Sequence, residues 1–149
     1  MCNKNKAFAA GIVSYNPDIK RFKENIDSIL SQVDKLIIIE NGSRESDKII
    51  KIIKSYDENC VKLVVNSKNM GIARALNQIM VCAEKENYKW VITLDQDSVC
   101  PENLVKEYSK YIEEDNVAII CPQIQDRRRK YLELEETEGI SEIDMCITS

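Results

Sequence analysis

Short apolar runs and longer amphipathic stretches alternate along the chain as far as residue 124. Residues 7–14 are apolar almost throughout and predict a buried strand. Asn16 then offers a helix cap and Pro17 suits a first helical position. Ile19, Phe22, Ile26, Ile29, Leu30 and Val33 follow at helical spacing. Lys35–Ile39 is a β-branched run, stopped by Asn41-Gly42, and predicts a second strand. Ile49, Ile52, Ile53 and Tyr56 mark a second amphipathic helix, and Val61–Val65 a third strand. A third helix starts at Gly71 and carries Ile72, Leu76, Ile79, Met80 and Ala83. Trp90–Leu94 is a fourth strand. Pro101 opens a fourth helix with Leu104, Tyr108, Tyr111 and Ile112, and Val117–Cys121 is a fifth strand.

Strands that are apolar on both faces belong to a parallel sheet covered on both sides. Strand–helix alternation with short connections adds right-handed crossovers. The expected fold class is therefore α/β: an open, mainly parallel, doubly wound Rossmann-like sheet with helices on both faces. Past residue 124 the alternation stops. Arg127–Lys130 is basic and Glu133–Glu138 is largely acidic. One domain over 1–149 is expected, a core of 1–124 with an irregular tail of 125–149.

Composition narrows the function. With 149 residues, 44% of them hydrophobic, the chain can bury a sizeable core. A formal net charge of −4 leaves no footprint for general nucleic-acid binding. No apolar stretch is long enough to predict a membrane span, and the N-terminus lacks a signal-peptide pattern, so a cytoplasmic protein is expected. There is no histidine, which excludes Ser-His-Asp and Cys-His catalysis and His-ligated zinc within the chain. Six cysteines, at 2, 60, 82, 100, 121 and 146, form no Cys-x-x-Cys pair and read as reduced, mostly buried thiols.

In an open α/β sheet, ligands bind outside the carboxyl ends of the strands. Ser14, Tyr15 and Asn16 follow the first strand; Glu40, Asn41, Gly42 and Ser43 the second; Asn66, Lys68, Asn69 and Gly71 the third; Asp95, Gln96, Asp97 and Ser98 the fourth. Asp95 and Asp97 in one turn suit Mg2+ or Mn2+ bridging to a diphosphate; the alternative is a turn and helix cap. Glu40 could accept hydrogen bonds from a ribose or base; the alternative is a simple stop at Asn41-Gly42. Gly71 and Arg74 lie where a helix N-terminus would meet an anionic diphosphate; the alternative is a turn glycine and a solvated charge. Arg127–Lys130 reads as a solvated loop, or as contact with an anionic membrane or lipid-diphosphate acceptor. The four glycines form neither a dinucleotide fingerprint nor a phosphate loop of the Gly-x-x-x-x-Gly-Lys kind.

Four ordered motifs carry a resemblance: Val13–Pro17, Glu40–Ser43, Asn69–Asn77 and Thr93–Ser98. In order and spacing they resemble family 2 glycosyltransferases of the GT-A fold, and Leu94–Ser98 with the preceding Gly71-Ile72-Ala73 resembles rhamnosyltransferases. The resemblance covers residues 7 to about 124, and Ile143–Ser149 also resembles a later stretch of those enzymes. It implies inverting transfer from a nucleoside-diphosphate sugar, a dTDP- or UDP-sugar and by likeness rhamnose, to a glycan or lipid-linked acceptor. It implies Asn16 and Glu40 near the nucleoside, Asp95 near the ribose or diphosphate, and Asp97 on the metal. The chain departs from the family pattern at Glu40, where Asp is usual. The general base is expected downstream of this chain, with no catalytic residue inside it, and the chain is expected to be a fragment. Two other functions fit the architecture: a sugar-phosphate nucleotidyltransferase, which would need a Gly-rich basic loop where Tyr15-Asn16-Pro17 stands, and a non-catalytic nucleotide-binding module.

Overall fold

Three consecutive isoleucines, Ile37 to Ile39, are all fully buried, so the strand that holds them must be covered on both faces. The computed structural model, which describes residues 7–112 and 117–120, shows how. Strands β1 (Phe8–Ser14), β2 (Lys35–Glu40), β3 (Val61–Val65) and β4 (Trp90–Leu94) form an all-parallel sheet in the order β3-β2-β1-β4. Helices α1 (Ile19–Leu30) and α2 (Ser46–Ile53) link β1, β2 and β3 in one direction; α3 (Ile72–Lys85) carries the chain back across to β4. Right-handed crossovers put α1 and α2 on one face and α3 on the other.

Side-chain alternation agrees. Ala9, Ile37 and Ile39 meet Ala75, Ile79 and Ala83 of α3. Their neighbours Ala10, Ile12, Leu36 and Ile38 point the opposite way, and the buried residues left to cover them are Phe22, Ile26 and Ile29 of α1 and Ile49 and Ile53 of α2. Gly11 sets the closeness of α3: a Cβ there would stand 2.3 Å from Cγ2 of Ile79. Truncating Ile79 to alanine should cost about 2–5 kcal/mol, because such a site cannot collapse.

Several local expectations are corrected. Asp18, not Asn16, caps α1, since its carboxylate accepts from Arg21 N at 2.9 Å. Asn16 instead takes a left-handed backbone, φ 48°. Helix α2 ends at Ile53, and Tyr56 lies in a bend where its hydroxyl donates to Asp27 at 2.8 Å. Helix α4 is only Leu104–Tyr108; turn bonds from Ser109 and Lys110 close it, leaving Tyr111 and Ile112 outside. Val117–Ile120 forms no strand, and Ala118 and Ile119 are exposed; an apolar run becomes a strand only with a partner. Cys82 and Cys100 are free thiols, but Cys60 is disulfide-bonded. The chain divides into two compact units, Met1–Lys110 and Tyr111–Ser149, and the sheet lies in the first. Arg127–Lys130, the acidic run and Ile143–Ser149 fall outside the described residues.

Candidate functional site

The strand order reverses between β1 and β4. β1 runs on through α1 to one side, and β4 returns beside it from the other, so the loops beyond their carboxyl ends diverge and leave a crevice. A cavity of about 350 Å³ opens there. Val13 and Tyr15 line it from the end of β1, Asn41 from the end of β2, Asn69 and Ile72 from the start of α3, and Asp95, Gln96 and Asp97 from the loop after β4.

The acid loop is fixed from behind. Gln96 turns back and its Oε1 accepts from Tyr15 N at 2.8 Å, which ties the ends of β1 and β4 together. Asn25 of α1 donates to the carbonyl of Asp95 at 2.6 Å, and Arg21 to that of Asp97 at 3.1 Å. Both carboxylates remain exposed. Burial and then the neighbouring charge of Asp97 raise the pKa of Asp95, and no described residue hydrogen-bonds its carboxylate. Two acids held together without a cationic partner are a donor set suited to a divalent ion. Among the described residues no cluster of three or more His, Cys, Asp or Glu could complete the coordination. A hard cation here would take its remaining ligands from phosphate oxygens and water, as Mg2+ sites on diphosphates do.

The opposite wall is built of amides. Asn41, 2% exposed, accepts at Oδ1 from Asn66 Nδ2 at 3.0 Å and from Met70 N at 3.1 Å, and donates to Asn69 Oδ1 at 3.2 Å. Asn66 and Gln78 exchange two bonds of 2.9 Å, which anchors the strand end to α3. Gly71 begins α3 with φ 83° and ψ 156°, a conformation open essentially to glycine alone. It supplies no side-chain cap, so the first N–H groups of α3 stay available beside the cavity. Lys68 and Arg74 are exposed near this end and make no ion pair with a described residue.

Glu40 occupies a different position from the one its motif suggested. It is fully buried and absent from the cavity wall. Its Oε1 accepts from Ser43 N at 2.7 Å, and its Oε2 from Ser46 Oγ at 2.7 Å and Gly42 N at 3.3 Å. Burial alone would raise its pKa, but these bonds outweigh it and hold the carboxyl below the usual glutamate range. The loop so shaped receives Asn16: its N–H donates to Ser43 Oγ at 2.9 Å, and its Oδ1 accepts from Arg44 N at 2.9 Å. Ser14 is buried with Oγ unpartnered, and its carbonyl accepts from Asn41 N.

Of the residues expected from the motifs, Tyr15, Asn41, Asp95 and Asp97 therefore line the cavity. Ser14, Asn16, Glu40, Lys68, Gly71 and Arg74 are not among its lining residues, although Asn69 and Ile72, next to Lys68 and Gly71 in sequence, are. Arg21, Asn25 and Gln78 were not foreseen. The readable signal was Asn25, a polar residue inside the apolar stripe of Phe22, Ile26 and Ile29.

Residues 10–145 match the pattern of the family described as Glycosyl transferase family 2. The chain is 28% identical over 129 residues to the dTDP-rhamnosyl transferase RfbF of Shigella flexneri, covering 85% of this chain and 42% of that protein. The mannosyltransferase PcManGT of Pyrobaculum calidifontis, solved with GDP-Man and Mn2+, superposes with a TM-score of 0.62 at 17% identity, over 74% of this chain and 33% of that one. S. aureus TarS 1-349 gives a TM-score of 0.58 at 18% identity, over 72% of this chain and 32% of that one. The chain thus spans less than half the length of these relatives, and the likeness to the two solved structures is one of fold, GT-A in both. With the family pattern matched over most of its length, the chain belongs to glycosyl transferase family 2.

Proposed function

We propose that this domain binds a nucleoside-diphosphate sugar, with rhamnose on dTDP as the donor, for inverting transfer to a glycan or lipid-linked acceptor. The observation that carries the reading is the unpaired Asp95/Asp97 couple at the switch point, across a cavity from the open N-terminus of α3. The named activity of RfbF supports the donor. In such a transfer the acceptor hydroxyl forms its bond to the anomeric carbon as the bond to the diphosphate breaks, and negative charge gathers on the leaving group. Asp97, with Asp95, would hold Mg2+ or Mn2+; when bound, that ion offsets the developing charge. The uncapped N–H groups of α3, with Lys68 and Arg74, add positive potential on the facing side. Tyr15 offers a half-exposed ring to the base. The proposal extends to a cytoplasmic location, with the basic run Arg127–Lys130 as the segment that would meet an anionic membrane surface. No helix among the described residues is long and apolar enough to cross a membrane.

Calorimetric titration of dTDP, UDP and GDP with and without Mn2+ tests the reading. Mn2+ should strengthen binding, pyrimidine nucleotides should bind more tightly than GDP, and Asp97→Asn should abolish the Mn2+ effect while leaving the melting temperature in place. Tightest binding of GDP would overturn the donor, and indifference to Mn2+ would overturn the role of the acid pair.

A further inference from the structure

Helix α1 carries a second stripe besides its apolar one. Arg21, Asn25 and Ser28 lie at spacings of four and three and so share one face, and Gln32, in the turn just past the helix, follows four residues on. All four reach the chain just after β4. Beyond the bonds of Arg21 and Asn25 to the Asp97 and Asp95 carbonyls, Ser28 Oγ accepts from Cys100 N at 3.1 Å. Gln32 donates to the Pro101 carbonyl at 2.9 Å and accepts from Val105 N at 3.3 Å.

Asn25 is the costly member. It is 0% exposed, and its Oδ1 has no partner. A buried amide oxygen without a partner costs free energy. Its Nδ2 bond is directed at the backbone of one acid, while Arg21, one turn away, holds the backbone of the other. Asp95 and Asp97 repel each other across a single residue, and a free loop would relax by turning them apart. With their carbonyls pinned to two successive turns of one rigid helix, the backbone part of that relaxation is blocked.

We propose that Asn25, assisted by Arg21, is the positioning residue of the site, holding the two carboxylates convergent before any cation or nucleotide arrives. This rests on the acid pair being a cation site, as proposed above. Outer-layer groups that orient ligands elsewhere are worth roughly 10–100-fold in metal affinity. The pinned loop acts in the same way, by preorganisation.

The test measures dTDP affinity with and without Mn2+ for the wild type, Asn25→Ala, Arg21→Ala and Arg21→Lys, alongside melting temperature and hydrogen exchange at Gln96–Ser98 in metal-free protein. Asn25→Ala should cut the Mn2+-dependent gain by roughly 10–100-fold, with metal-free affinity nearly unchanged and exchange at Gln96–Ser98 faster. Arg21→Ala, on the surface and expected to fold, should lose a smaller part of the gain, and Arg21→Lys should recover some of it. A merely structural role would lower the melting temperature and leave the ratio of affinities intact; that result overturns the proposal. If Asn25→Ala does not fold, an unchanged ratio and unchanged exchange in Arg21→Ala overturn it equally. A wild type without any Mn2+ gain overturns the cation site itself, a different outcome from a gain that survives in every variant.

Discussion

Strand β2 ends in Glu40, and Asp95 directly follows β4 on the same edge of the sheet, yet the two carboxylates live in opposite circumstances. Glu40 is sealed in, with both oxygens taken by its own loop and its pKa lowered. Asp95 is exposed beside a second acid, with no bonded partner and its pKa raised. The first arrangement stabilises the folded protein; the second opposes it slightly and leaves a charge free for a ligand. Acids whose environment pushes them away from their ordinary range without internal compensation collect where chemistry is done. By that criterion the site centres on the β4 end, and the β2 end is its scaffold.

The most damaging way to break the comparison is to open the scaffold at Gly42. It has φ 78°, and an added Cβ would stand 2.3 Å from the backbone carbon of Lys68. Backbone cannot swing away as a side chain can, so Gly42→Ala should cost about 3 kcal/mol or more. Urea unfolding measures this; a loss under about 1 kcal/mol would mean that the two loops are not in contact.

Glu40→Ala comes next. It strands the buried Ser43 N–H, the part-buried Gly42 N–H and a serine hydroxyl, so about 2–3 kcal/mol should be lost. Glu40→Gln keeps the volume and removes the charge, and should fall between the variant and the wild type. If Glu40 reached the ribose instead, dTDP affinity would drop in Glu40→Gln while unfolding stayed as in the wild type. Titration and melting on the same sample decide between the two.

This contrast also marks how far the sequence could be read. The sheet was legible because its strands are largely apolar and its helices periodic; the cap of α1, the ends of α2 and α4, and the run Val117–Ile120 were not. The strand-end motifs located the cavity, since the switch-point rule depends on topology alone. What a motif could not give was orientation. Glu40 turns inward onto Ser43 and Ser46. The contribution of α1 was hidden differently. Asn25 and Arg21 act on backbone carbonyls some seventy residues away, and a contact with main chain leaves no residue-type signature at the other end.

Acid titration should separate the two groups by sign. Glu40 has a folded pKa below the ordinary glutamate value of 4.5, so its stability is present above about 4.5 and is lost as pH falls through the lower folded value. Melting temperature should therefore decline below pH 4.5, and Glu40→Gln should flatten that decline. An acid limb of equal steepness in the variant would show that other carboxylates govern it.

The smallest effect is the one that sharpens the comparison most. Asp95→Asn removes one of two repelling charges and no internal hydrogen bond. At neutral pH the empty protein should become slightly more stable, within about 0.5 kcal/mol because the side chain is exposed. The sign follows from linkage. A carboxyl whose folded pKa is raised above 3.8 resists ionisation in the folded state, so its charge destabilises the protein above that folded value and ceases to do so as pH falls through it. The advantage of Asp95→Asn should therefore shrink on acidification and vanish below pH 3.8. In the same variant the Mn2+-dependent part of nucleotide binding should weaken, so stability and function move in opposite directions at one residue. Melting curves at pH 7 and pH 3.5, paired with titrations at pH 7, read both. A variant less stable than the wild type at pH 7 would mean that the Asp95 carboxylate holds the loop together, and the distinction from Glu40 would be lost.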